Sequence, residues 1–147
     1  MYEYNCNIVR VVDGDTVDVD IDLGFGIWIR NERVRLSGID TPESRTRDLT
    51  EKFYGKYATQ YVIEKLGESC ILRTKKDRAG KFGRVLGEFI VYDKYSDSWK
   101  SVNEMMVRDF VAVPYMGQSK DEIKQLHLEN YAALEKLGIA PWQDIAT

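Results

Sequence analysis

Histidine is almost missing from this chain of 147 residues: His127 is the only one. That excludes sites built from paired imidazoles, two-histidine ribonuclease chemistry among them. It leaves His127, which falls inside a helical pattern, as a structural or surface residue. Cysteine is scarce as well. Cys6 and Cys70 are too few for a disulfide scaffold and lack the paired spacing of a zinc site, so they read as buried free thiols, with a single bridge as the other arrangement. No stretch approaches the roughly 18 apolar residues of a membrane span. The opening Met1-Tyr2-Glu3-Tyr4-Asn5 has neither the basic nor the apolar region of a signal peptide. The expectation is a cytoplasmic protein, or one released by lysis or as a processed mature form. An excess of positive charge is also missing. The net charge of −3 argues against a generic basic nucleic-acid binder, but the charge is uneven. Residues 30–84 hold 14 Lys and Arg against 8 acids while both flanks are acidic, so a polyanion would be drawn to the middle third.

What is present suffices for one core. At 44% hydrophobic content the chain predicts a single domain over 1–147. Its first half reads as strands. Ile8 to Val12 is apolar and β-branched, Asp13-Gly14-Asp15 signals a turn, and Val17 to Ile21 alternates with Asp18, Asp20 and Asp22. Gly24-Phe25-Gly26 suits a hairpin into a third strand, Ile27 to Leu36. Tyr54, Ala58, Tyr61, Val62 and Leu66 then form the stripe of an amphipathic helix, stopped by Gly67. Two further strands are predicted at Cys70 to Thr74 and Val85 to Tyr92. Ser101 with Glu104, and Ser119 with Glu122, have the spacing of capping boxes. Ile123, Leu126, Ala133, Leu134 and Leu137 give the last helix its apolar stripe. Five strands with a helix before the fourth, and helices at the end, favour an α+β domain containing a small barrel.

Three segments gather the residue types that phosphoryl chemistry needs: Asp13-Gly14-Asp15-Thr16, Arg35 through Asp40-Thr41-Pro42-Glu43, and Lys81-Phe82-Gly83-Arg84. Singly, each fits a structural role, since Asp-Gly is a common hairpin turn and Pro-Glu a common helix start. Together, a physical logic connects them. A phosphodiester transition state gathers negative charge on its non-bridging oxygens, and Arg35 and Arg84 offer permanently charged forks to grip them. Carboxylates beside those arginines make sense if a hard cation bridges acid and phosphate. Asp15, Asp40 and the carbonyl of Thr41 are oxygen donors of the type calcium, magnesium or manganese accepts. Glu43, just past Pro42, is placed to orient or deprotonate the attacking water.

In order and spacing these segments resemble the staphylococcal nuclease, or thermonuclease, family, from about Ile8 to the final helix. The resemblance implies a five-stranded OB-fold-like β-barrel with three helices. It implies a calcium-dependent nuclease that cuts DNA and RNA with little sequence preference and leaves 3′-phosphate and 5′-hydroxyl ends. Arg35, Glu43 and Arg84 would be its catalytic residues. Asp15, Asp40 and Thr41 would hold Ca2+, supported by Asp13, and Lys81 and Tyr115 would bind flanking phosphate and base. Such a chemistry needs only a monomer and no membrane. Phe82 stands where the family often has tyrosine, and Gly117 where a second tyrosine would be sought.

Two other readings compete. A non-catalytic OB-type nucleic-acid-binding module would use the same barrel, but retention of all three acids and both arginines tells against it. Asp18, Asp20 and Asp22 suggest a calcium loop, yet Leu23 follows where an EF-hand needs Gly, and Ile29 stands where it needs Glu. Their alternation makes them the solvent face of a strand.

Overall fold

The structure, a computed structural model, describes residues 2–79 and 85–141, with the backbone alone for 75–79. Five long strands carry the fold: β1 (Tyr2–Asp13), β2 (Thr16–Gly24), β3 (Ile27–Leu36), β5 (Ser69–Ala79) and β6 (Val85–Asp93). Shorter ones are β4 (Ile39–Asp40), β7 (Ser98–Ser101) and β8 (Val113–Pro114). The helices are α1 (Leu49–Leu66), α2 (Val102–Arg108) and α3 (Lys120–Lys136).

The long strands run antiparallel in the order β3-β2-β1-β5-β6, and β3 then pairs in parallel with β6, through Val34 with Val85 and Arg35 with Leu86, to close a five-stranded ring. The expected barrel with three helices is what forms. Alternation explains it: Val17, Val19, Val34, Leu36, Leu72 and Phe89 all point inward and are buried. β7 extends the sheet beside β6, and α1 closes the barrel with Ala58, Val62 and Leu66. Every predicted strand appears. The first starts earlier, at Tyr2, because its outer half pairs with β5 from Tyr2–Thr74 to Asn7–Ser69. That ladder sets Cys6 opposite Cys70, both free, with sulfurs 3.8 Å apart.

Three local expectations need correction. Asp18 does not simply face water: it is 8% exposed and receives two hydrogen bonds from Arg33 of β3, at 2.8 and 3.1 Å. A cross-strand arginine covers the outer face there, and its hydrogen bonds hold the Asp18 carboxyl below the ordinary aspartate range. Both capping serines accept from the expected N–H groups, those of Glu104 and Glu122. The return bonds, from each serine's backbone N–H to the glutamate carboxylate, are absent among the described residues; the Ser101 hydroxyl donates to Glu88 and the Ser119 hydroxyl to Glu122. Finally, the apolar stripe of α3 turns inward through Ile123, Leu126, Ala133 and Leu134 as expected, but not at its end, and a polar residue joins it. His127 and Leu134 are buried, whereas Leu137 is exposed.

Candidate active site

The β2–β3 register decides where the first acid sits. Thr16 is the partner of Arg35, so Asp15 leaves the turn directly beside that arginine, and the Asp15 carbonyl accepts from the Leu36 N–H at 2.8 Å. The turn is drawn close because Gly14 lacks a side chain. A Cβ there would stand 2.8 Å from that of Ala58 in α1 and 3.2 Å from the Thr41 side chain. Thr41 is in turn buried.

Asp40 is set by a two-residue ladder. β4 pairs with β8, Asp40 opposite Val113 and Ile39 opposite Pro114, and the Tyr115 N–H continues it by donating to the Gly38 carbonyl at 2.9 Å. Arg35 lies between the two acids, its guanidinium 3.5 Å from Asp15 and 3.7 Å from Asp40, both carboxylates half-buried. The same guanidinium donates to the Leu36 carbonyl at 3.0 Å, which fixes its direction.

Glu43 is held from behind. Gly55 lies inside α1, where a Cβ would come within 2.5 Å of the Glu43 carbonyl group and 2.7 Å of the Ser44 nitrogen. The loop backbone therefore rests on the helix itself. Ser44 also donates to Asp13 at 2.5 Å, tying the loop to the first turn, and the Glu43 N–H donates to Glu51. The Glu43 carboxyl is pushed above the ordinary glutamate value by partial burial and by the charges of Asp15, Asp13, Asp40 and Glu51.

Arg35, Asp40, Thr41, Glu43 and Tyr115 share the wall of one cavity of about 850 Å3. Tyr115 is 48% exposed. Its far wall is α3, which supplies Lys124, His127 and Tyr131. A second cavity, of about 530 Å3, shares no lining residue with the first. Its three cations are already paired, Arg73 with Glu88 and Glu3, Lys100 with Asp93, and Arg108 with Asp109.

Asp13, Asp15, Arg35, Asp40, Thr41, Glu43 and Tyr115 are thus gathered from three separate stretches of chain. Lys81 and Arg84 lie outside the described residues; Val85, next in sequence after Arg84, pairs with Val34 beside Arg35. Among the described residues no three Asp, Glu, His or Cys side chains converge closely enough to cage a cation. Asp15 and Asp40 each face the Arg35 guanidinium.

Sequence reasoning missed two contributors. Gly55 had a signal, since glycine within a helix disfavours it and invites a search for a close approach. His127 had less. It is buried, and its Nε2 lies 2.8 Å from Asp40 Oδ2, a contact across 87 positions of chain.

Comparison with known proteins places the chain among relatives. The family described as staphylococcal nuclease homologue matches residues 33–144. The chain is 31% identical to Protein ParB of Escherichia coli, over 97% of this chain and 74% of that protein. It is 27% identical to the micrococcal nuclease of Shigella flexneri, over 97% and 75% respectively. With the thermonuclease of Staphylococcus intermedius it shares 35% identity over 54% of this chain and 44% of the relative.

Proposed function

The chain belongs to the staphylococcal nuclease family, and on that footing we propose that it is a calcium-dependent nuclease hydrolysing DNA and RNA to 3′-phosphate and 5′-hydroxyl ends. The observation that carries this reading is the Arg35 guanidinium between Asp15 and Asp40, on the wall of a cavity that Glu43 and Tyr115 also line.

Arg35 grips the non-bridging oxygens of the scissile phosphate and stabilises the charge that grows on them. Arg84 is assigned the same task from the family motif, and Lys81 the flanking phosphate. Glu43 holds the attacking water by hydrogen bond and receives its proton. A raised carboxyl pKa suits that work, because a base matched to its task must bind a proton well enough to take it. Tyr115 stacks on a base without reading its identity, consistent with low sequence preference.

The donors fit a hard cation. Asp15 and Asp40 with the Thr41 carbonyl make an all-oxygen set, and the carboxylate charges that, after burial, raise Glu43 are of the kind a divalent ion relieves. Asp13, held by Ser44, supports the loop beside them. Such an ion supplies positive charge beside the phosphate and makes nearby water more acidic.

The test is release of acid-soluble nucleotide from DNA and from RNA, with calcium and with a chelator, followed by end analysis. Calcium-dependent release with 3′-phosphate ends is expected. Nucleic acid bound but never cut, at any calcium level, would establish a binding module instead.

A further inference from the structure

His127 is the only imidazole in the chain, and it is buried against a carboxylate that the proposed chemistry assigns to a cation. Its Nε2 and Asp40 Oδ2 are 2.8 Å apart. The other ring nitrogen, Nδ1, is buried and finds no hydrogen-bond partner among the described residues. These facts select the tautomer. Protonation at Nδ1 alone would bury an N–H with nothing to receive it and leave two lone pairs facing each other across the Asp40 contact. With the proton on Nε2, the imidazole donates to Asp40 Oδ2 and leaves a bare ring nitrogen inside.

The two oxygens of Asp40 are then divided. Oδ2 is occupied by His127, while Oδ1 faces Arg35 at 3.7 Å. Among the described residues the backbone of Asp40 is held by the short β4–β8 ladder, which does not itself set the carboxyl torsion. The histidine is itself well anchored. Tyr131, one turn further along α3, stacks on Tyr54 of α1 at 4.3 Å between centroids and 7° between planes, and lies 6.2 Å from the His127 ring. The Tyr54 hydroxyl donates to the Ile139 carbonyl at 3.0 Å, beyond the end of α3.

We propose that His127 is a positioning residue: by donating to Asp40 Oδ2 it fixes the carboxyl orientation that presents Oδ1 to a divalent cation. This rests on the reading of Asp40 as a cation ligand. The rival role is a staple that holds α3 on the barrel, with no influence on the ligand.

The experiment is calorimetric titration of the whole chain with Ca2+, alongside denaturant unfolding without calcium. His127→Leu keeps apolar bulk but removes the N–H, His127→Gln restores an N–H at similar reach, and Leu134→Ala loosens α3 at a buried position two turns beyond His127 and outside the cavity lining. His127→Leu is expected to weaken calcium binding by about 10- to 100-fold, the range found when a partner that orients a ligand is lost. His127→Gln should recover part of that loss. Leu134→Ala should lower the unfolding midpoint and leave calcium affinity much closer to wild type than His127→Leu does, since it removes packing rather than the orienting bond. Equal calcium affinity in wild type and His127→Leu overturns the inference while leaving the cation site standing, as does a Leu134→Ala variant that loses calcium as severely as His127→Leu. A wild-type chain that takes up no calcium overturns the cation site itself, and this inference with it.

Discussion

The barrel strands and the loop segments beside them hold their share of the site by different means. On the barrel side, Asp15 and Arg35 are positioned by strand register, over a core in which Val17, Val19, Val34, Leu72 and Phe89 are inaccessible to solvent. Beside them, Asp40, Glu43 and Tyr115 depend on a two-residue ladder, a loop laid on one glycine, and single side-chain bonds to α3 and Asp13. Backbone ladders resist displacement cooperatively, whereas single contacts fail one at a time. Stability should therefore reside mainly in the first region, and sensitivity of function to isolated substitutions in the second.

The largest expected effect sharpens that division. Glu43→Gln should lower kcat on the order of 100- to 10,000-fold, the range of general-base catalysis, with much less change in inhibitor binding. It should not destabilise the fold. A carboxyl whose pKa is raised on folding contributes stability below its unfolded value and loses it as pH rises through the folded one, so at neutral pH its charge opposes folding. Unfolding of the calcium-free variant at pH 7 should be at least as hard as that of wild type; a clearly lower midpoint would break the division. Phe89→Ala, in the barrel, should do the reverse. Removal of this fully buried ring should destabilise by about 3–5 kcal/mol in denaturant titration, with activity per folded molecule near wild type.

Gly55→Ala comes next and tests the seam between the regions. The added methyl would meet backbone within 2.5 Å, and such overpacking costs about 1–3 kcal/mol. Because the displaced backbone is that of Glu43, kcat should fall as well; a stable, fully active variant would show that the loop does not depend on the helix. The smallest effect is electrostatic. The Asp18 carboxyl, held below its ordinary value by Arg33, stabilises the fold above the unfolded aspartate pKa and ceases to do so as pH falls through the lowered one. Asp18→Asn should be modestly less stable than wild type at pH 7, and the difference should vanish in acid. A difference constant with pH would mean that packing, not charge, is lost.

The two regions were also unequally legible in the sequence. Barrel strands betray themselves by alternation, and α1 by the spacing of Tyr54, Ala58, Val62 and Leu66, because both burial patterns are local and repeat over several residues. β4 and β8 have two residues each, too short for any period to show. The α3 stripe was legible from Ile123 to Leu134, but not its departures, for this helix covers a cavity as well as a core: His127 is buried and Leu137 is exposed. Asp18 was misplaced because alternation tells which face a side chain takes, but not what a neighbouring strand lays over it. Asp15, Arg35, Asp40 and Glu43 were found as candidates by motif and chemistry, but the contacts that aim them join residues far apart in the chain.

An interior helix glycine is ordinarily the first position a protein engineer replaces with alanine to raise a melting temperature. The gain expected in an exposed helix is up to about 1 kcal/mol. In α1 that habit would misfire, since the missing side chain is the berth of a loop. The neighbouring exposed positions, such as Lys56, are where this helix can be stiffened or recharged at little risk. A thermostabilised derivative should therefore be sought with residue 55 left alone.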